Sequence, residues 1–182
     1  EAGLSLTFKP RGQPVRPGTV DALLQALKCV CTALVSVHGM SLMHRDVRWE
    51  NVMKRGDIED EWFLIDFEDA VFEEGSSGAS SSTSSHNQQQ QQQYYYYPHR
   101  LAAADHAPEM CRGPHGLKVD VWGLGHLIRT CGLPHVPDHL KDLERRFTDP
   151  DPEQRPPIDD CFYLLMQLHS SLAHFNHHHH HN

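Results

Sequence analysis

The chain has 182 residues, a formal charge of −8 and 38% hydrophobic residues, enough for one domain with its own core once two polar tracts are set aside. Acidic residues gather at Asp57–Glu61 and Asp66–Glu74 and there is no basic stripe, which argues against nucleic acid or a membrane surface as the main partner. The longest apolar runs read as too short to span a bilayer.

No secretory signal pattern opens the sequence, and residue 1 is Glu, so the start reads as a cut, a processed end or an incomplete gene product. Leu4-Ser5-Leu6-Thr7-Phe8 alternates apolar and small polar residues and predicts a short strand. Lys9 to Pro14 is a turn-rich connector. From Thr19 the pattern turns helical, with Thr19 or Asp21 as cap. Leu23, Leu24, Leu27, Val30, Leu34, Val35 and Val37 then lay down a broad apolar face that ends at Gly39. Past residue 51, Asn51–Met53 and Trp62–Phe67 predict two strands joined by a turn around Gly56-Asp57, the second ending on a carboxylate.

Between Gly75 and Tyr97 the sequence falls into Ser/Gly, glutamine and tyrosine runs with no periodic apolar face, which predicts a disordered insertion. Order resumes near Ala107-Pro108-Glu109. Helices are expected over Val119–Thr130, Asp138–Phe147 and Asp159–Leu172, with a Pro/Asp-rich turn at Asp149–Pro157. The histidine-rich end, residues 173–182, is set apart as a disordered tail, either a purification tag or a natural repeat. Cys29, Cys31, Cys111, Cys131 and Cys161 are odd in number and lack metal-ligand spacing, so they read as free thiols in a reducing interior, cytoplasmic or nuclear.

The chemistry concentrates in His44–Asn51, HRDVRWEN, and in Leu64–Asp69, LIDFED. The first supplies Asp46, a basic Arg48 two positions on and the amide of Asn51 five positions on; the second supplies Asp66. These are the side chains needed to accept a proton from a hydroxyl and to hold nucleotide phosphates through magnesium. Further motifs follow in order: Ala107-Pro108-Glu109, DVWGLG at 120–125 and DPEQRP at 151–156. With these five motifs the chain resembles the C-terminal lobe of eukaryotic protein kinases over nearly its whole length outside the repeats. The details look most similar to fungal-type kinase domains and to kinase-like domains of some secreted effector proteins.

The resemblance implies a mainly helical α+β lobe over residues 1–172, with short β-hairpins at the catalytic loop and ATP and magnesium as cofactors. It implies Asp46 as catalytic base, Arg48 at the transferring phosphoryl group, and Asn51 and Asp66 on magnesium. A hinge strand near 4–9 would bring Thr7, Phe8 and Lys9 to the adenine. His44, Arg45, Glu109, Asp120 and Arg155 take structural or regulatory roles: Glu109 and Arg155 as an ion pair, Asp120 as acceptor for the catalytic-loop backbone, and Arg45 as partner of an activation-segment phosphate. The implied function is transfer of the γ-phosphoryl group of ATP to a serine or threonine hydroxyl of a protein substrate. The alternatives are a pseudokinase-like binding module and, third, a small-molecule kinase.

Three departures qualify the resemblance. Glu68 stands where glycine normally follows Asp66-Phe67, narrowing the backbone choices there. The residues before Ala107 lack the usual threonine or serine near the base. No glycine-rich loop or lysine-bearing strand precedes Thr19, so the sequence predicts little turnover by this chain alone.

Overall fold

The central helix is where the sequence pattern and the packing meet. A computed structural model describes residues 9–73 and 102–178. The strand expected at Leu4–Phe8, with Thr7 and Phe8, and the insertion expected from Gly75 to Tyr97 lie outside the described residues. Helix α1 (Val20–Gly39) starts at Thr19, whose backbone is extended and whose side-chain hydroxyl accepts the Ala22 N–H at 3.1 Å, so Thr19 is the cap and Asp21 sits in the first turn. Such a cap contributes about 1 kcal/mol. Leu23, Leu24, Leu27, Val30, Leu34 and Val37 are buried, while Val35 stays half-buried.

Residues of α1 pack against the last helix and a strand, with each fully buried leucine adding about 1.5–3 kcal/mol. By length and composition alone α1 is also apolar enough to cross a membrane, with mean hydropathy 1.7. The run-length reading of the sequence did not register this, because Asp21, Gln25 and Lys28 interrupt the apolar runs without lowering the average far. Its packing is that of a core helix.

Three more helices follow among the described residues: α2 (Lys118–Arg129), α3 (Asp138–Phe147) and α4 (Ile158–His178). Helix α2 is buried almost all round, and α3 closes on it with Leu140, Leu143 and Phe147. The α2–α3 approach depends on Gly125, where an added Cβ would lie 2.6 Å from Thr148 Cγ2 and 3.2 Å from the Glu144 carbonyl oxygen. Helix α4 runs to His178, so the tail set apart from residue 173 begins inside a helix. No glycine or proline stands between Leu172 and His178 to stop it.

The strands are short. β1 (Gly12–Gln13), β3 (Val52–Arg55) and β4 (Trp62–Leu64) form an antiparallel sheet in the order β1–β3–β4; β2 (Leu42–Met43) pairs with β5 (Val71–Phe72). This is the mainly helical α+β class expected from the sequence.

Three details differ from the pattern reading. Trp49–Asn51 forms a 3-10 turn, so the strand begins at Val52. The strand expected to end on Asp66 stops at Leu64, and Asp66 lies in the left-handed region at φ 61°. Gly12-Gln13, inside the predicted connector, forms a strand because β3 offers its free edge, pairing Gly12 with Arg55 and Gln13 with Lys54.

Candidate functional site

The segment His44–Asn51 bridges the two sheets, leaving β2 and entering β3. Its backbone is fixed from below by Asp120 of α2, which is fully buried. Asp120 Oδ2 accepts the His44 N–H and Oδ1 accepts the Arg45 N–H, each at 2.8 Å, and His38 Nε2 at the end of α1 donates to Oδ2 at 2.8 Å. Arg45 adopts φ 71°, and its Nε donates to the Asp69 carbonyl at 2.7 Å. Val47 rests on α2 where Gly123 leaves room: a Cβ there would lie 2.6 Å from Val47 Cβ. Trp49 Nε1 donates to the Leu127 carbonyl at 2.9 Å and its ring meets Trp62 edge-on.

His44 ties the loop to the strand that follows. The Asp46 N–H donates to its Nδ1 at 3.1 Å, which puts the ring proton on Nε2, and Nε2 donates to the Ile65 carbonyl at 2.8 Å. Phe67, 42% exposed, stands edge-on to the imidazole. The β3–β4 ladder continues one step as the Ile65 N–H donates to the Asn51 carbonyl at 2.9 Å. Asn51 therefore faces Ile65, and Asp66 is the next residue along.

Asp46 is 8% exposed and its carboxylate is held on both oxygens. Asn51 Nδ2 donates to Oδ2 at 2.9 Å and to the Asp46 carbonyl at 2.8 Å; His106 Nε2 lies 3.1 Å from Oδ1. Arg48 Nε is 3.2 Å from Oδ1 without hydrogen-bond alignment. Burial opposes ionisation, but the His106 hydrogen bond, the Arg48 charge and the Asn51 amide outweigh it and hold the carboxyl below its usual range. Asp46 is thus an anion with its orientation fixed.

With both amide hydrogens of Asn51 turned to Asp46, no hydrogen bond from the described residues reaches its Oδ1. The exposed Asp66 carboxylate accepts the Glu68 N–H at 3.3 Å. An amide oxygen and a carboxylate are ligand types that a hard cation bringing further oxygen ligands would take. Among the described residues no group of three or more His, Cys, Asp or Glu side chains forms a protein-only metal cage.

The remaining candidates are placed as follows. Glu109 and Arg155 form a two-pronged ion pair, with Nη1 to Oε1 at 2.5 Å and Nη2 to Oε2 at 3.0 Å. Arg155 also donates to the carbonyls of Asp149 and Lys118. Lys9 is exposed in a bend before the first sheet. Residues 74–101, where an activation-segment phosphate for Arg45 would be sought, lie outside the described residues. His38 and His106 are the contributions that pattern reading missed. His106 directly precedes Ala107-Pro108-Glu109, so its place was visible but its contact with Asp46 was not.

No family model matches the chain. Over 93% of its length it is 35% identical to Crinkler effector protein 8 of Phytophthora infestans. The chain is a homologue of that effector. It spans 26% of the effector's length, and the stretch held in common includes nearly all of the site described above.

Proposed function

We propose that the chain is the lower lobe of a protein-kinase-like phosphotransferase within a Crinkler-type effector. The observation that carries this reading is the Asp46 carboxylate, ionised and oriented, with Asn51 bonded to it and Asp66 following the residue that Asn51 faces. In this reading the hydroxyl of a protein substrate gives its proton to Asp46 as its oxygen attacks the γ-phosphorus of ATP in line, with ADP as leaving group. Asn51 and Asp66 would hold magnesium, which when bound neutralises phosphate charge. Arg48, half-buried beside Asp46, offers a planar donor where a lysine is usual. The relative's printed name, an effector protein, supports the secreted-effector alternative over the cytoplasmic or nuclear expectation.

Isothermal titration calorimetry with Mg-ATP tests the site. Binding that Asp66→Ala abolishes is the expected result; no binding, or binding indifferent to Asp66→Ala, overturns it. The 182 residues contain neither a glycine-rich loop nor a lysine strand to position the nucleotide from above. Turnover by this chain alone should accordingly fall far below the roughly 1–100 per second of kinases.

A binding module is the second reading, favoured by Glu68. Its carboxylate stands two residues from Asp66, where it would repel phosphate, and Phe67 beside it is exposed. Tight protein association with no Mg-ATP binding would select it.

A further inference from the structure

His106 lies 60 residues along the chain from Asp46 and is buried. Four observations bear on its role. Its Nε2 is 3.1 Å from Asp46 Oδ1, and an ionised carboxylate only accepts, so Nε2 carries the proton. Its Nδ1 is held by Ala102, whose N–H and carbonyl oxygen lie at 3.3 Å and 3.2 Å. The turn that carries it is closed by the Asp105 and His106 N–H groups, both donating to the Ala102 carbonyl. Asp105 in turn pairs with His126 of α2 at 3.3 Å, and His126 is stacked on Trp122. The imidazole is thus fixed by its own turn and by α2 before it meets the carboxylate.

Each Asp46 oxygen has one hydrogen-bond donor aimed at it, Asn51 on Oδ2 and His106 on Oδ1. Either donor alone leaves the carboxylate free to turn about its Cβ–Cγ bond; two on opposite oxygens set its plane. A carboxylate offers about four lone-pair directions, so this clamp still leaves acceptor capacity for an incoming hydroxyl.

We propose that His106 is the positioning residue of the base: its Nε2–H fixes the plane of the Asp46 carboxylate together with Asn51. The inference rests on the phosphotransferase reading for its purpose, since a base needs this orientation for in-line attack, but the clamp itself is measurable without nucleotide. It also gives a function to the stretch before Ala107, where the serine or threonine of kinases is absent.

The test is NMR of the full 182-residue chain, following the one Asn51 side-chain amide proton that bonds Asp46 Oδ2, and not its partner on the Asp46 carbonyl, together with the ring Nε2–H of His106. In the wild type both should appear as resonances protected from water, and Asp46→Ala should remove both. His106→Ala should cost Asn51 its protected amide signal while resonances of the helical core stay in place. His106→Gln should restore the signal, because the glutamine Nε2 stands as many bonds from Cα as the histidine Nε2. Where His106→Ala disturbs the whole spectrum, His106→Gln decides, since it returns the donor without the ring. An unchanged Asn51 signal in His106→Ala, or its absence in a folded His106→Gln, overturns the proposal. Failure to bind Mg-ATP would remove the phosphotransferase reading and leave this result standing separately.

Discussion

Arg155 has no exposed side-chain area, yet all its bonds lead to fixed partners: the Glu109 carboxylate and the carbonyls of Asp149 and Lys118. Removing the carboxylate leaves a buried guanidinium with carbonyl dipoles for company. Glu109→Ala should therefore destabilise the fold by about 3 kcal/mol, the lower end for a broken buried pair because those carbonyls remain. Urea unfolding monitored by circular dichroism reads this directly, and a loss under 1 kcal/mol would show that the pair is screened as a surface bridge is. Residues of this kind were legible in the sequence because motif order identified both partners. The sequence singled out Asp46 and Asn51 for separate roles, base and magnesium ligand, and did not foresee the hydrogen bond between them. His106 and His38 were not, because their partners lie 60 and 82 residues away and an isolated histidine has no pattern of its own.

At the scale of elements, helices were read closely apart from the end of α4, which runs past Leu172 to His178, and strands were not. The helix α3 spans Asp138–Phe147 as the sequence predicts, since a 3.6-residue apolar stripe repeats enough times to be seen. Strands β2 and β5 have two residues each, too few for alternation to register, and they exist because each supplies the other's hydrogen bonds. Asp66 leaves the strand early for a related reason: Glu68 N–H turns back onto its carboxylate, a local bond that competes with the ladder.

Close helix packing gives the prediction at this scale. A methyl group on Gly125 would meet Phe147 Cβ at 2.9 Å and the Glu144 carbonyl at 3.2 Å, backbone and short side chain that cannot swing away. Gly125→Ala should cost about 1–3 kcal/mol, read as a lower denaturation midpoint, although alanine is the better helix former. A stabilised variant would mean that α2 and α3 separate more easily than the packing indicates.

For the molecule as a whole, α1 and α4 lie together and bury Cys31 and Cys161 between helix and core. The Cys31 Sγ–H donates to the Ile158 carbonyl at 3.4 Å. Burial pushes the Cys31 thiol far up, with nearby Cys161 and Asp159 adding to it, and burial pushes Cys161 up to about 12. The reactive species is the thiolate, so both should resist alkylation at pH 8 while the exposed Cys111 reacts. Mass spectrometry after iodoacetamide treatment checks this: native protein should carry the label at Cys111, and Cys31 and Cys161 should take it only in denaturant. Labelling of Cys161 as fast as Cys111 in native buffer would mean that the α1–α4 contact opens readily. The sequence had given the free-thiol reading by counting; which thiols are inert depends on tertiary burial.

The buried carboxylate of Asp120 joins the end of α1, the loop backbone at His44 and Arg45, and its own helix α2. A part of the fold tied to the core in this way opens only when the core opens, so the stretch that presents Asp46 shares the free energy of global unfolding. Asp66, Phe67 and Glu68 are exposed at the edge of that knot. The site therefore has an anvil and a hammer. Accommodation of an incoming molecule falls to one rim, while the opposite face stays fixed for as long as the protein is folded.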